Sequence, residues 1–249
     1  MAAARRRPTF LVTRPVDRAR ATARRLRRHG FSAVVAPALA VVPLDDPPPA
    51  GWRTCAAVIA TSPRAFLAPL PAALCVRPLF AVGERTAAAA RRAGFTTIAV
   101  GPADGGALAE LLLADAPPGP LLHLAGRHRA PALEQRLAEA GRELKIWERY
   151  RSMPVPAMPP HARARLAGGG IDGILFYSAR TAAAFRAWLD AGLVRALASV
   201  RAWGLSDRAL APVRDLPWAA CIAADQPREN ALLMALAAHY PVAGAEQGA

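Results

Sequence analysis

The sequence predicts an α/β protein made of two doubly wound parallel-sheet domains that are related by an internal repeat. Two observations carry this prediction. Short apolar, strand-like runs alternate with helical segments along the whole chain. In addition, residues 9–43 and 120–154 align with each other without a gap. Since sequential strand–helix units pair in parallel, we expect helices on both faces of each sheet.

The first elements of the two halves are the clearest repeat. Each copy has the pattern of a strand, a loop, a helix and a second strand, and each ends in a proline, at Pro43 and Pro154. Glycine at Gly30 and Gly141 predicts the two helix ends. The matched pairs are Leu11 and Leu122, Arg18 and Arg129, Ala21 and Ala132, Arg25 and Arg136, and Leu26 and Leu137.

The next element repeats in the same order. Residues 55–70 resemble residues 171–188, with Ser62 opposite Ser178. Each stretch has the pattern of a buried strand that ends at a hydroxyl able to cap the following helix.

The remaining strand–loop–helix units complete each half. Residues 76–90 resemble 200–212, with Gly83 opposite Gly204, and residues 96–113 resemble 218–236. Gly83 is followed directly by the helical run "ERTAAAARRAG". A glycine turn that opens a helix is a favourable anion site, because free N–H groups and the helix dipole point out of it.

Polar turns follow the predicted strands. In open α/β sheets the binding crevice lies beyond the carboxyl ends of the strands, so a ligand held between two such domains would meet turns from both. Hydroxyls, glycines, helix N-termini and arginines are suited to binding carboxylates. The turns lie at Arg14, Ser62, Gly83, Gly126, Ser178 and Ser206.

The charge of the chain is strongly positive. The formal net charge is +14, and every basic residue except Lys145 is arginine. Two explanations stay open: a composition bias that places arginine on a solvated surface, or a polyanionic partner. Aromatic residues make up only 6% of the chain and no nucleic-acid-binding module is recognisable, so we expect no nucleic-acid partner.

Several function classes are not supported by any motif. The sequence has no G-x-G-x-x-G after a strand, no P-loop and no G-x-S-x-G elbow, and its five histidines and three cysteines lack metal-ligand spacing. We therefore expect no cofactor and no metal. No apolar run reaches membrane-spanning length and the N-terminus lacks a secretory pattern, so we expect a cytoplasmic protein without a membrane partner.

An ordered set of motifs resembles the uroporphyrinogen-III synthase family. The pieces are "LVTRP" at 11–15, "VIATS" at 58–62, "AVGERTA" at 81–87, "HLAGRHR" at 123–129, "LAEAG" at 137–141, Tyr150 and "LFYSARTAAAF" at 175–185. They span nearly the whole chain. The chain departs from the family pattern at "TSPRAF" and at "GLSDRALAPV", and the second departure weakens a role for Ser206.

The resemblance implies a discontinuous domain arrangement. Residues 1–38 and 155–249 would form domain 1, and residues 41–147 would form domain 2. Two short extended linkers, at 38–42 and 147–155, would join the domains as a two-stranded connection. We also expect a monomer.

The resemblance further implies a lyase reaction. Such a protein cyclises hydroxymethylbilane to uroporphyrinogen III, with loss of water and inversion of ring D, in haem biosynthesis. Tyr150 is the first candidate for the acid, because it would lie in a linker, and Thr86 is the second catalytic candidate. The predicted substrate-binding residues are Arg14, Thr61, Ser62, Gly83, Gly126, Arg127, Ser178 and Ser206.

Two other classes remain as alternatives. The first is a non-catalytic two-domain α/β binder of a polycarboxylate or another anion. The second is a nucleic-acid-binding protein that uses the arginine-rich first helix, which a steep salt dependence of DNA binding would reveal. The hydroxyls of Thr86, Ser62 and Ser178 can also be explained as helix caps, Arg14 as a residue that fixes its own turn, and Tyr150 as a hinge aromatic.

Overall fold

The computed structural model describes residues 6–101 and 105–240. The chain forms two compact units and passes between them twice, from Ala40 to Val41 and from Ser152 to Met153. The first unit therefore contains residues that precede the second unit in sequence and residues that follow it. Helices and strands alternate through most of both units.

Eleven strands lie within the described residues. They are β1 (Thr9–Val12), β2 (Ser32–Val35), β3 (Leu39–Pro43), β4 (Ala57–Ala60), β5 (Leu79–Val82), β6 (Ile98–Gly101), β7 (Leu121–Gly126), β8 (Leu144–Pro154), β9 (Gly173–Phe176), β10 (Arg201–Gly204) and β11 (Ala220–Ala223).

The same residues contain ten α-helices and four short 3₁₀ turns. The helices are α1 (Val16–Arg28), α2 (Ala72–Cys75), α3 (Gly83–Arg92), α4 (Gly105–Asp115), α5 (Ala132–Glu139), α6 (Pro160–Ala167), α7 (Ala179–Arg186), α8 (Ala191–Ala196), α9 (Asp207–Leu210) and α10 (Glu229–His239). The 3₁₀ turns are Trp52–Thr54, Pro63–Phe66, Leu197–Ser199 and Ala211–Val213.

The strands form two sheets, which confirms the predicted fold class. The five-stranded sheet has the order β11-β10-β9-β1-β2, and the six-stranded sheet has the order β3-β8-β7-β4-β5-β6. All neighbouring strands except β3 and β8 pair in parallel, for example Leu11 with Val34 and with Ile174. The first strand–helix–strand unit of the chain thus shares a sheet with the last third.

Both faces of each sheet are buried. In β1, Leu11 points into one apolar cluster while Phe10 and Val12 point into another. In β4, Val58 and Ile59 divide in the same way between the two faces. This explains why the strands are continuous apolar runs rather than alternating ones.

The predicted helix ends of the repeat are confirmed. Gly30 and Gly141 have φ of +79° and +68°, the left-handed region that glycine enters most easily. Their N–H groups bond to the carbonyls of Arg27 and Ala138, which closes the last turn of α1 and of α5.

Strands β3 and β8 carry the chain between the units. They are neighbours in the six-stranded sheet. The N–H of Leu44 bonds to the carbonyl of Arg149, and the N–H of Val155 bonds to that of Ala38, so the two strands run in opposite directions. Both predicted linkers overlap these strands. That they act as a hinge stays a prediction.

The segment after β4 differs from the simplest expectation of a helix. Ser62 does cap the next element, but this element is a 3₁₀ turn, Pro63–Phe66, rather than an α-helix. Two further prolines, Pro69 and Pro71, lie just beyond it. Proline lacks the N–H group that would continue an α-helix, so the segment stays short.

Candidate functional site

The carboxyl ends of β7, β4 and β5 and the middle of β8, which lies beside the end of β7, bring together the site residues predicted in the second unit. These strands are consecutive in the sheet and lie about 5 Å apart, as neighbouring strands do. We call the residues at these positions the carboxyl edge. In strand order they are Tyr150, then Gly126 and Arg127, then Thr61 and Ser62, and then Gly83 and Thr86.

Tyr150 stands directly over Gly126. A Cβ on Gly126 would lie 2.6 Å from the ring Cζ of Tyr150 and 2.8 Å from its hydroxyl oxygen. An irregularity in the register between Ala125 and Gly126 brings Gly126 opposite Tyr150, and the N–H of Arg127 bonds to the Tyr150 carbonyl at 2.9 Å. Only glycine leaves room for this ring, which places the phenol at the carboxyl edge.

Two arginines and two glutamates brace the turn after β7. The Nε of Arg127 donates to Glu148 at 2.8 Å, and Arg129 donates to Glu148 at 3.3 Å and to Glu134. The hydrogen bond from Arg127 lowers the pKa of Glu148. The side chain of Arg127 nevertheless keeps 43% of its surface exposed, so its outer N–H groups can still reach an anion.

Thr61 contacts a buried histidine, His123, the first residue of the motif "HLAGRHR". The Oγ1 of Thr61 lies 3.2 Å from Nε2 of His123, which is 2% exposed on β7. Burial, and secondly the charge of Arg129, lower the pKa of His123 to about 4. The imidazole is therefore neutral near pH 7. Only the strand pairing of Ile59 with His123 reveals this contact, because the two side chains are far apart in sequence.

Ser62 and a buried arginine hold the turn after β4. Ser62 accepts a hydrogen bond from the N–H of Arg64 at 3.3 Å. Arg149 is 2% exposed and donates to the carbonyls of Ala68 at 2.7 Å and Pro69 at 2.8 Å, while its guanidinium lies 4.2 Å from the ring of Trp147. Carbonyl oxygens and an aromatic face thus compensate the buried charge, and the turn is anchored from β8.

Gly83 opens α3 with a backbone that favours glycine. Its φ is +70°, and a Cβ placed there would meet no atom within 4 Å. The positive φ, and not a lack of space, therefore favours glycine at this position. The space next to Gly83 at the start of α3 is open. The first N–H groups of a helix have no partner inside it, so an anion can bind there. Thr86, in this first turn, is 2% exposed.

Arg14 in the first unit is directed at an internal carboxylate. It donates to Oε1 of Glu229 at 3.0 Å and to Thr22 at 3.2 Å, and its guanidinium lies 3.9 Å from the ring of Tyr177. The hydroxyl of Tyr177 donates to the same carboxylate at 3.2 Å, and Arg25 donates at 2.9 Å. Burial and the charge of Glu229 raise the pKa of Tyr177.

Ser178 and Ser206 lie at the carboxyl ends of β9 and β10 in the first unit. Each caps the following helix: Ser178 accepts from the N–H of Thr181, and Ser206 accepts from the N–H of Ala209, both at 3.3 Å. Capping accounts for both hydroxyl oxygens as acceptors. Helix α9 is only four residues long, which agrees with the looser motif around Ser206.

The carboxyl edge offers several hydrogen-bond donors suited to an anion. Backbone N–H groups, hydroxyls and a partly exposed guanidinium are the groups that hold carboxylates. In the described parts of the chain, no three His, Cys, Asp or Glu side chains are placed to hold a metal ion. Within residues 6–101 and 105–240, no helix is long and apolar enough to cross a membrane.

Comparison with known proteins gives one family and one fold. A family model described as "Uroporphyrinogen-III synthase HemD" matches residues 20–234. The structure of uroporphyrinogen-III synthetase from Helicobacter pylori is similar, with a TM-score of 0.58 at 16% identity, covering 94% of this chain and 100% of that one. A mutant uroporphyrinogen III synthase from Thermus thermophilus has a TM-score of 0.50 at 19% identity, covering 92% and 97%. A search of curated protein sequences finds no match.

Proposed function

This chain belongs to the uroporphyrinogen-III synthase family of tetrapyrrole biosynthesis, and from that premise we propose that it converts hydroxymethylbilane to uroporphyrinogen III. The reaction closes the linear bilane with inversion of ring D and releases one water. The family match over residues 20–234 is the observation that carries this proposal.

The carboxyl edge supports the proposal chemically. The bilane carries eight carboxylates, and a backbone N–H or hydroxyl bound to a carboxylate is worth about 1.5–3 kcal/mol. We assign the binding of carboxylates to Thr61, Ser62, Gly83, Gly126 and Arg127 at this edge. Exposed arginine–carboxylate pairs contribute only about 0–1 kcal/mol each, so the net charge of +14 acts mainly by steering the substrate.

The carboxyl ends in the first unit supply Ser178, Ser206 and Arg14 as further proposed contacts. Ser206 accepts a capping hydrogen bond and keeps its hydroxyl proton to donate, whereas Ser178 also shares a 2.8 Å hydrogen bond with the Thr181 hydroxyl and can donate to a substrate only when Thr181 is the donor in that bond. Arg14 already binds Glu229, so it can contact a substrate carboxylate only with its remaining N–H groups. Its contribution to substrate binding is therefore expected to be the smallest of the three.

Tyr150 is the proposed acid. A proton from its hydroxyl would assist departure of the terminal hydroxyl of the bilane as water, while the pyrrole nitrogen supplies the electron pair. The substituted carbon of ring D attacks the resulting azafulvene and gives a spiro intermediate. The original bond from that carbon to its bridging methylene then breaks to give a second azafulvene on ring C, and the free α-carbon of ring D attacks it with loss of a proton, which closes the macrocycle with ring D inverted. Holding the two ends of the bilane close together supplies the remaining rate acceleration.

Thr86 is the second catalytic candidate. It lies in the first turn of α3 beside Gly83, but only 2% of it is exposed. A direct role therefore requires the turn to open around the substrate. Without such opening, Thr86 acts by holding the Gly83 turn in place.

We propose further that the enzyme needs no cofactor, works as a cytoplasmic monomer and has no nucleic-acid partner. The test is conversion of hydroxymethylbilane by purified protein treated with a chelator. Unassisted closure of the bilane yields the type I isomer. The product is oxidised and its isomers are separated, and the amount of type III isomer then measures the contribution of the protein. Heat-denatured protein is the control. If only the type I isomer forms, at the rate of the control, the chain is instead a binder of polycarboxylates.

A further inference from the structure

His123 is a buried polar group to which the proposed mechanism assigns no step. It sits on β7 between apolar residues: Leu121 on the same strand, Ile59 on β4 and Leu133 on α5 belong to the cluster on its side of the sheet. Its single hydrogen-bonding partner among the described residues is Thr61, and its Nδ1 is buried without one. Burying a nitrogen without a hydrogen-bonding partner costs stability.

The unpartnered nitrogen determines which tautomer the site favours. Buried N–H donors without acceptors are rarer in proteins than under-satisfied acceptors. The proton therefore lies on Nε2, which donates to Oγ1 of Thr61, and Nδ1 carries only a lone pair. An imidazolium would carry a second N–H group, on Nδ1, buried without an acceptor, and would face the positive charge of Arg129.

This tautomer dictates what the Thr61 hydroxyl does. Its oxygen accepts from His123, so its own proton is directed away from the imidazole. Thr61 immediately follows β4 at the carboxyl edge and is only partly buried. We propose that His123 is a positioning residue that turns the Thr61 hydroxyl into a donor for a substrate carboxylate. This inference rests on the proposed function.

The charged groups around the pair leave this arrangement intact. From the turn before α5, Arg129 faces His123 and is itself bound by Glu134 on α5 and Glu148 on β8. The apolar residues of β4, β5 and α4 on this face contribute no charge. Among residues 6–101 and 105–240, no carboxylate bonds to His123 that could hold a second proton on the ring.

The first experiment reads the tautomer without any turnover assay. Imidazole ¹⁵N chemical shifts of selectively labelled protein distinguish a protonated nitrogen from a bare one. We expect His123 to carry its proton on Nε2 at pH 7, and we expect Thr61→Val to shift that resonance. A proton on Nδ1, or a charged ring, overturns the proposal even if the protein turns over the bilane.

The second experiment measures KM and kcat separately. Losing one hydrogen bond to a carboxylate predicts that Thr61→Val raises KM about tenfold or more. His123→Leu should raise KM severalfold, and the double variant should be no worse than Thr61→Val alone. His123→Gln restores an N–H near the position of Nε2 and should bring KM back towards wild type. In all these variants kcat should change little.

Controls separate positioning from packing and from failure of the proposed function. Thr54 lies before β4, at the opposite end of that strand, and its hydroxyl donates to the Gly51 carbonyl, so Thr54→Val should leave KM unchanged. An unchanged KM in His123→Leu, or effects of the two substitutions that multiply, overturns the inference. Production of only the type I isomer by wild type refutes the proposed function instead, and the ¹⁵N spectrum still decides the orientation.

Discussion

The phenol ring of Tyr150 lies on the backbone of Gly126, so close that any side chain on Gly126 would collide with it. The contact joins two neighbouring strands, at the carboxyl end of β7 and in the middle of β8. Packing of the ring against the glycine backbone holds the proposed acid in a defined position. The first two predictions test the two sides of this contact.

Tyr150→Phe removes the hydroxyl and keeps the ring on Gly126. We expect turnover to fall about tenfold or more, with little change in stability, because the packing is preserved. General acids contribute about 10²–10⁴-fold where one group dominates, and the electron push of a pyrrole reduces that need here. Turnover and urea denaturation measure the two effects. Unchanged turnover would leave Tyr150 as a structural residue.

Gly126→Ala should displace the ring. The added methyl would lie 2.6 Å from the ring Cζ, and forced overpacking of this kind costs about 1–3 kcal/mol. We expect reduced stability and a loss of turnover at least as large as that of Tyr150→Phe. Gly105→Ala is the matched control, because its methyl would meet Leu133 at an ordinary 3.5 Å. Wild-type behaviour of Gly126→Ala would disprove the close contact.

Arg14 and Glu229 should stabilise the first unit as a pair. The two side chains are 15% and 22% exposed, so removing one partner leaves a poorly solvated charge. We expect Arg14→Gln and Glu229→Gln each to lower the free energy of unfolding by about 1–3 kcal/mol, and the double variant to lose less than the sum. Urea denaturation of the four proteins measures the coupling. Strict additivity would show that the pair contributes no interaction of its own.

The stability of the protein should depend on pH through His123. Its pKa is about 4 when folded against 6.5 when unfolded, so the unfolded state binds more protons between these values. Stability is therefore complete above pH 6.5 and is lost as the pH falls towards 4, by up to about 3 kcal/mol. His123→Leu and His123→Gln should both lack this loss. Equal pH slopes in wild type and both variants would contradict the depressed pKa.

Added salt should lower kcat/KM, which reports capture of the substrate, more than kcat, which reports the reaction of bound substrate. The net charge of +14 attracts a polycarboxylate from a distance, and this attraction is screened as the Debye length falls from about 30 Å at 0.01 M to about 3 Å at 1 M. We expect kcat/KM to fall over this range while kcat changes little. A kcat/KM that is insensitive to salt would show that the arginine excess is only compositional.

Much of this architecture could be predicted from local patterns. The α/β class, the helix ends at Gly30 and Gly141 and the strand, helix and second strand in residues 120–154 follow from periodicity and glycine placement, and the structure confirms them. The family resemblance, taken from short motifs in order, is confirmed by the match over residues 20–234. These features are local because turn and helix-capping chemistry depends on residues only a few positions apart.

Contacts between side chains could not be predicted from those local patterns. The sequence offered Arg14 as a ligand contact, but folding brings it to Glu229, 215 positions away. Thr61 and His123 belong to separate sequence motifs, so their contact could not be predicted. The sequence also gave no reason why residue 126 must be glycine. Strand order and register bring Thr61 to His123 and Gly126 to Tyr150, and the packing of α10 brings Glu229 to Arg14.

The chain alone therefore specifies which elements form, which strands are buried and which turns carry polar groups. Those properties depend on the hydrophobic period and on backbone preferences of neighbouring residues. Which side chains meet depends mostly on contacts between residues far apart in sequence, such as Gly126 with Tyr150, 24 positions away, and Arg14 with Glu229, 215 positions away. Such contacts exist only after the apolar faces have packed, because burial selects a single strand register and with it the neighbours of every polar side chain.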